Sequence, residues 1–409
     1  MEAATFSANA PIALTYVPPA ELERIRAVTD PVTRAAAFAD ANRINALSSI
    51  MEAGSGHIGT SFSVADILAW LHLEVLSGDD VCFSSKGHDA PAVYAALAGA
   101  GKLDFDLLHR LRKQDGLPGH PDIHATPQVF TNTGSLGMGV SKAKGFARAA
   151  RLDERRRRVF VITGDGELQE GQFWESLGQA ANEDFGEITV IVDHNKIQSD
   201  TWVEHVSDLG DLEAKGRAFG WAVARCDGND MAALSSTLTQ LLEHNASRPK
   251  LLVADTVKGA GAEIFTPHAL ERSGTALYAY HSGAPSEELY GIAIAELVQK
   301  LAAKLGRDPE LEAGEAPRRV APATPQKLVD AYGSALKAAA DRREDLVALD
   351  ADLYLDCGLI PFRDAHPGRF VECGIAEMDM VSQAGGMALE GLVPICHSFG
   401  CFLSTRPNE

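Results

Sequence analysis

Between Arg158 and Gln198 the chain reads RVFVITGDGELQEGQFWESLGQAANEDFGEITVIVDHNKIQ, and this stretch leaves little freedom in the fold. The apolar run Val159 to Ile162 has the length of a strand buried on both faces, and it ends in the tight polar turn Thr163-Gly164-Asp165-Gly166. Phe173, Trp174, Leu177, Ala180 and Ala181 follow at helical spacing over Phe173 to Asp184. Ile188 to Val192 is a second apolar strand, closing in Asp193-His194-Asn195. A strand-helix-strand crossover is right-handed, so the two strands are parallel and their carboxyl ends open on one edge, where ligands of such sheets bind. Asp165 and Asn195 therefore face one site.

An Asp and an Asn placed this way offer hard oxygen ligands of the kind that Mg²⁺ or Ca²⁺ takes beside a diphosphate. Gly164 and Gly166 let the backbone approach such a group closely. The stretch holds neither G-x-G-x-x-G nor G-K-[ST], which sets aside nicotinamide-binding and P-loop readings.

Upstream, Glu21 to Ile50 reads as one or two helices with Asp30-Pro31 as a capped start, and it leads into the loop Gly54-Ser55-Gly56-His57-Ile58-Gly59-Thr60. Ser63 to Leu76 reads as helix, and Val81 to Ser84 as a strand ending in Ser85-Lys86-Gly87-His88, before the helix Pro91 to Ala100. A third histidine lies in the irregular segment Gly116-Leu117-Pro118-Gly119-His120-Pro121-Asp122. Thr133-Gly134-Ser135-Leu136-Gly137-Met138-Gly139 then opens the helix Val140 to Ala150, a start suited to an anion or a flat ring against backbone. Leu251 to Thr256 is a further strand.

GDGELQEG followed by DHNKI is similar to the thiamine diphosphate motif of the transketolase family, and SGHIG, KGH, GHPD and TGSLGMG occur in that family's order. The resemblance covers roughly Ile44 to Lys258. It implies thiamine diphosphate as cofactor, with Mg²⁺ or Ca²⁺ held by Asp165, Asn195 and Ile197. Gly134, Leu136, Gly137, Gly164 and Gly166 would line the cofactor. The family's fourth histidine is assigned to His281 in YHSGAP, with His268 as the other candidate. His57, His88, His120 and His281 would stabilise alkoxides and move protons, since imidazole titrates near neutrality.

Glu287 to Leu305 reads as an amphipathic helix, and residues 306–325 as a linker. A second set of elements follows: helix Gln326 to Asp341, strands Leu346 to Asp350 and Arg369 to Glu372, helix Met378 to Glu390 and strand Leu392 to Cys396. VECGIAEMDM resembles the signature of the family's pyrimidine-binding domain, with Glu377 at the catalytic glutamate. Phe399, Phe402 and Arg406 match its aromatic pattern, Glu170 falls at a carboxylate linking paired sites, and Asp352 falls near the thiazolium ring. Gln326 and Asp356 align where the family grips a sugar phosphate with an Arg and a Ser. That replacement implies that at least one substrate is not an ordinary sugar phosphate.

The fold expected is therefore α/β: an arm (1–20), a doubly wound diphosphate-binding domain (21–305), the linker, and a partial pyrimidine-binding domain (326–409). The resemblance implies transfer of a two-carbon ketol unit from a ketose to an aldose, in sites built between two chains. Another thiamine enzyme, of the 1-deoxyxylulose-5-phosphate synthase or 2-oxo acid dehydrogenase kind, and a non-catalytic relative are the alternatives. The 84 residues from 326 to 409 are about half of such a domain. The expectation is a truncated chain or, in preference, a split enzyme, a dimer or heterotetramer whose second polypeptide finishes the sheet. A formal charge of -19 disfavours nucleic acid or an anionic membrane as partner. Residues 1–20 lack a basic n-region, and no run nears the ~18 apolar residues of a membrane span. Six cysteines without a C-x-x-C pair complete the expectation of a cytoplasmic protein.

Overall fold

A computed structural model describes residues 11–199, 201–244, 247–267, 277–318 and 327–407. Its strands are β1 (Ile12–Tyr16), β2 (Val81–Ser84), β3 (Val159–Gly164), β4 (Ile188–His194), β5 (Ala222–Asp227), β6 (Lys250–Asp255), β7 (Glu312–Ala316), β8 (Leu346–Asp350), β9 (Phe370–Glu372) and β10 (Val393–His397). The largest sheet is parallel throughout, in the order β2-β3-β4-β6-β5.

Side-chain alternation along these strands builds two cores. Phe160 and Ile162 of β3 join Ile191 and Leu252 in one, packed with buried residues of the helices Pro31–Ala53 and Glu287–Leu305. Val159 and Val161 join Val190, Val192 and Val253 in the other, with the helices Gly139–Leu152 and Gly171–Asn182. Both faces of the sheet are thus covered, which is why its strands read as continuous apolar runs. Asp30 caps the long helix by accepting the Thr33 N–H at 2.8 Å, and Gly54 ends it in the left-handed conformation.

A second, three-stranded parallel sheet has the order β10-β8-β9. Leu346 and Ala348 face Leu336 and Phe362 on one side, and Val347 and Leu349 face Met380 on the other. The surface of this domain remains apolar in places: Leu328 is 84% exposed, Met378 61% and Leu389 89%.

The structure departs from the sequence reading in three places. Part of the stretch read as linker is β7, which pairs antiparallel with β1 and ties the arm to the far end of the first domain. Strand β5 has no counterpart in the sequence reading, because it is an edge strand with alternating half-exposed residues and no long apolar run. The helix expected over Ser63 to Leu76 is Ala65–Trp70 followed by a wider turn, Leu71–Val75, and a further helix, Ile58–Ser63, begins inside the expected loop.

The helix Leu328–Ala340 approaches the turn at Gly358 so closely that a Cβ on Gly333 would lie 2.1 Å from the Gly358 carbonyl oxygen. Gly333→Ala is expected to cost about 1–3 kcal/mol by overpacking. Urea denaturation would show it, and an unchanged midpoint would refute the contact.

Candidate active site

The carboxyl ends of β2, β3, β4 and β6 surround a cavity of about 350 Å³, and the segments after β8, β9 and β10 close it from the other side. Two buried carboxylates organise the first wall. Asp193, at the end of β4, accepts from Ser63 Oγ at 2.6 Å, from Lys86 Nζ at 2.7 Å and from the Thr256 hydroxyl. Glu167 accepts from the Ser85 hydroxyl, from Gly137 N at 2.8 Å and from Gly164 N at 3.2 Å. Four loops from distant parts of the sequence are thereby held in register.

Lys86 is fully buried, so desolvation opposes its charge, yet Asp193 and Asp89 together raise its pKa above the ordinary value. Its ammonium lies 2.7 Å from Asp193 and 3.3 Å from Asp89. Lys258 makes no close ion pair among the described residues, though Asp165 and Asp352 lie near enough to act on it. It donates to the Ile197 carbonyl at 3.0 Å and to that of Gln198, and burial brings its pKa down to about 8. Neither lysine stands out in the sequence as a site residue.

Asp165 accepts the Gly166 N–H at 2.8 Å and the Lys196 N–H, and burial pushes its carboxyl up. Asn195 Oδ1 accepts the Ile197 N–H at 3.1 Å. Asp165, Asn195 and Ile197 all line the cavity, as do Gly134, Leu136, Gly164 and Gly166. Gly137 does not. It backs the wall with φ 80°, where a Cβ would meet Glu170 Cβ at 2.7 Å.

The four histidines converge. The His57 ring lies 5.3 Å from His88, 5.3 Å from His281 and 6.0 Å from His120 between centroids, and His88 lies 5.6 Å from His281. Burial lowers the pKa of His57 to about 3, holds His88 and His281 well below the ordinary value, and lowers His120 as well. This differs from the near-neutral titration expected from sequence: packing the rings together with Lys258 and Arg112 nearby disfavours any imidazolium. His88 Nδ1 lies 3.2 Å from the Lys86 carbonyl and so carries the proton, whereas His281 Nδ1, 3.3 Å from the Lys258 ammonium, accepts. His268 lies outside the described residues.

From the second domain, Glu377, Phe399, Phe402 and Asp352 reach the same cavity as Glu170. Asp352 holds a left-handed backbone, φ 59°, accepts the Ser199 N–H at 3.0 Å, and has its pKa raised to about 6 by burial. Gln169 binds across the seam as well, accepting the Ile375 N–H at 2.8 Å. Arg406 pairs with Glu377 at 2.9 Å and contacts Glu170. A second cavity of about 410 Å³, beside β2 and lined by His72, Cys82 and Lys102, holds none of the expected site residues.

Comparison with known proteins agrees with this geometry. Residues 34–282 match the family described as transketolase, thiamine diphosphate binding domain, and residues 325–408 match transketolase, pyrimidine binding domain. The chain belongs to the transketolase family. It is 35% identical over 261 residues to the 6-deoxy-6-sulfo-D-fructose transketolase subunit SqwG of Clostridium sp. (strain MSTE9), covering 61% of this chain and 91% of that one. It is 38% identical over 216 residues to one of the subunits of apulose-4-phosphate transketolase from Actinobacillus succinogenes, covering 50% and 78%. Human transketolase is 31% identical over 390 residues, 88% of this chain but 60% of the human one. The transketolase structure from Campylobacter jejuni superposes with a TM-score of 0.58 at 20% identity, over 92% of this chain and 66% of that one, and shares the fold. Transketolases of this family are thiamine diphosphate-dependent transferases.

Asp193→Ala would leave the buried Lys86 ammonium with Asp89 alone. Losing one partner of a buried pair costs about 3–5 kcal/mol. Chemical denaturation of this variant should show a loss of that order, and a loss within 0.5 kcal/mol, roughly that of a surface substitution, would contradict the hub.

Proposed function

We propose that this chain forms the thiamine diphosphate site of a transketolase that moves a two-carbon ketol unit from a ketose to an aldose, working with a second polypeptide. The observation that carries the reading is the single cavity joining Asp165 and Asn195 to four histidines on one side and Glu377 on the other. The residues fit the cofactor. Gly164 and Gly166 leave a cradle that side chains would fill, since a Cβ there would meet Lys86 Cδ at 2.9 Å and Gln198 Cβ at 3.0 Å. Asp165, Asn195 and the Ile197 carbonyl are hard oxygen donors with one carboxylate among them, so a Mg²⁺ or Ca²⁺ ion there needs the diphosphate to complete its shell. Among the described residues no group of three or more His, Cys, Asp or Glu could hold a metal without it.

When bound, thiamine diphosphate supplies a carbon nucleophile that takes up the two-carbon unit and returns it. The chain supplies the rest. Glu377 would face the aminopyrimidine, and Phe399 and Phe402 would pack against it. His88 and His281, neutral and of opposite tautomer at Nδ1, present an acceptor and a donor to sugar hydroxyls, so a proton can be taken and returned without an imidazolium persisting. Asp356 lines the cavity at an exposed position. An anion there opposes a phosphate, so at least one substrate lacks the usual sugar phosphate. Gln326 lies outside the described residues.

The second polypeptide is supported by Leu328, Met378 and Leu389, exposed on the helices that flank the small sheet, and by relatives named as subunits. A dimer or heterotetramer results, in the cytoplasm, where the six cysteines stay reduced. No helix of the described residues is long and apolar enough to cross a membrane.

Asp165→Ala and Asn195→Ala are expected to abolish Mg²⁺-dependent binding of thiamine diphosphate in calorimetry. Glu377→Gln should bind and lose proton exchange at the thiazolium carbon; exchange at the parental rate would sink that role. With its partner present, the chain should turn over xylulose 5-phosphate with ribose 5-phosphate far below ordinary transketolase rates, and ordinary rates would refute the substrate reading.

A further inference from the structure

The seam between the domains closes on a side chain that the proposed chemistry does not use. Arg406 keeps 8% of its side chain exposed, and its guanidinium reaches both domains. Nη1 donates to Glu377 Oε2 at 2.9 Å and contacts Glu170. Nη2 donates to Ser135 Oγ at 2.9 Å and to the Leu136 carbonyl at 2.8 Å, in the loop that opens the helix Gly139–Leu152. The Phe402 ring lies 5.3 Å from the guanidinium carbon.

Charge counting gives this arrangement a consequence. Glu170 and Glu377 are both buried, and like charges so close cannot both stay ionised in a poor solvent without a cation between them. Burial pushes the Glu377 carboxyl up. Among the described residues Arg406 is the cation in contact with both carboxylates, while Lys86 is committed to Asp193 and Asp89, and Lys258 to backbone carbonyls. The remaining groups near the pair do not replace it: Glu167 is a further acid acting on Arg406, Cys401 lines the same cavity, and Ser398 Oγ stands 3.4 Å from Glu377 Oε1. The fork geometry of a guanidinium suits two carboxylates where a single ammonium does not.

We propose that Arg406 is a positioning residue that shares one guanidinium between Glu377 and Glu170 across the domain seam, keeping Glu377 ionised and aimed into the cavity. With both carboxylates ionised the three groups carry one net negative charge. That charge complements a single positive charge on an incoming heteroaromatic ring. The role of Glu377 toward the ring rests on the thiamine diphosphate reading, but its charge state belongs to the chain without cofactor.

The test is carbon-13 NMR of the cofactor-free chain labelled at glutamate Cδ, with Glu377 assigned by the signal lost in Glu377→Gln. In the parental chain Glu377 should stay ionised at neutral pH and below. In Arg406→Gln its midpoint should move up by more than about one pH unit, the scale on which a charge pair shifts a carboxyl, and Arg406→Lys should restore part of the shift. The same midpoint in the parental chain and in Arg406→Gln overturns the inference. Should Arg406→Gln fail to fold, the parental titration decides: Glu377 protonated at neutral pH overturns it, and Glu377 ionised despite its burial supports it. Calorimetry of the parental chain with thiamine diphosphate and Mg²⁺ separates the two readings, because absent binding overturns the cofactor assignment and leaves the titration result standing.

Discussion

The buried carboxylate of Asp193 is the interaction on which the site depends. It sits at the end of the central strand β4 and takes hydrogen bonds from three segments that the sequence separates widely, those of Ser63, Lys86 and Thr256. A charge in this position would be prohibitive alone, and Lys86 offsets it. Glu167 repeats the device at the end of β3 for Ser85, Gly137 and Gly164. The parallel sheet brings the loops to one edge, but it does not fix their mutual distances. These two carboxylates do.

The opposite wall is held differently. Gln169 to Ile375, Ser199 to Asp352, and Arg406 to Ser135, Leu136, Glu170 and Glu377 are polar contacts across a seam. The Gln169 bond contributes about 0.5–1.5 kcal/mol net, and those to the charged Asp352 and Arg406 about 1.5–3.

Much of this is legible in the sequence because parallel strands buried on both faces leave unbroken apolar runs. Val159 to Ile162, Ile188 to Val192 and Leu251 to Thr256 mark three central strands, and the polar residues just past two of them mark the site. Strand β5 escapes because edge strands bury only half their side chains, and β7 because GEAP-like composition reads as linker until β1 is seen beside it. Within the site, the histidines are found by their motifs, yet their suppressed protonation is not, since it arises from mutual burial of rings from four loops. Lys86 and Glu167 stand inside recognisable motifs and give no signal of their own for a like reason. A charged residue in a polar turn reads as solvated, and only the tertiary structure shows its partner.

That the thiamine diphosphate site needs residues of both domains, Asp165 and Asn195 of one and Glu377, Phe399 and Phe402 of the other, is the proposal on which the rest turns. Its most direct test is calorimetric titration of the intact chain, and of a piece ending at residue 318, with thiamine diphosphate in the presence of Mg²⁺ or of a chelator. The account predicts one Mg²⁺-dependent equivalent per intact chain and much weaker binding to the shortened piece, which lacks Phe399, Phe402 and Glu377. Equal affinity of the two, or binding indifferent to the metal, would contradict it.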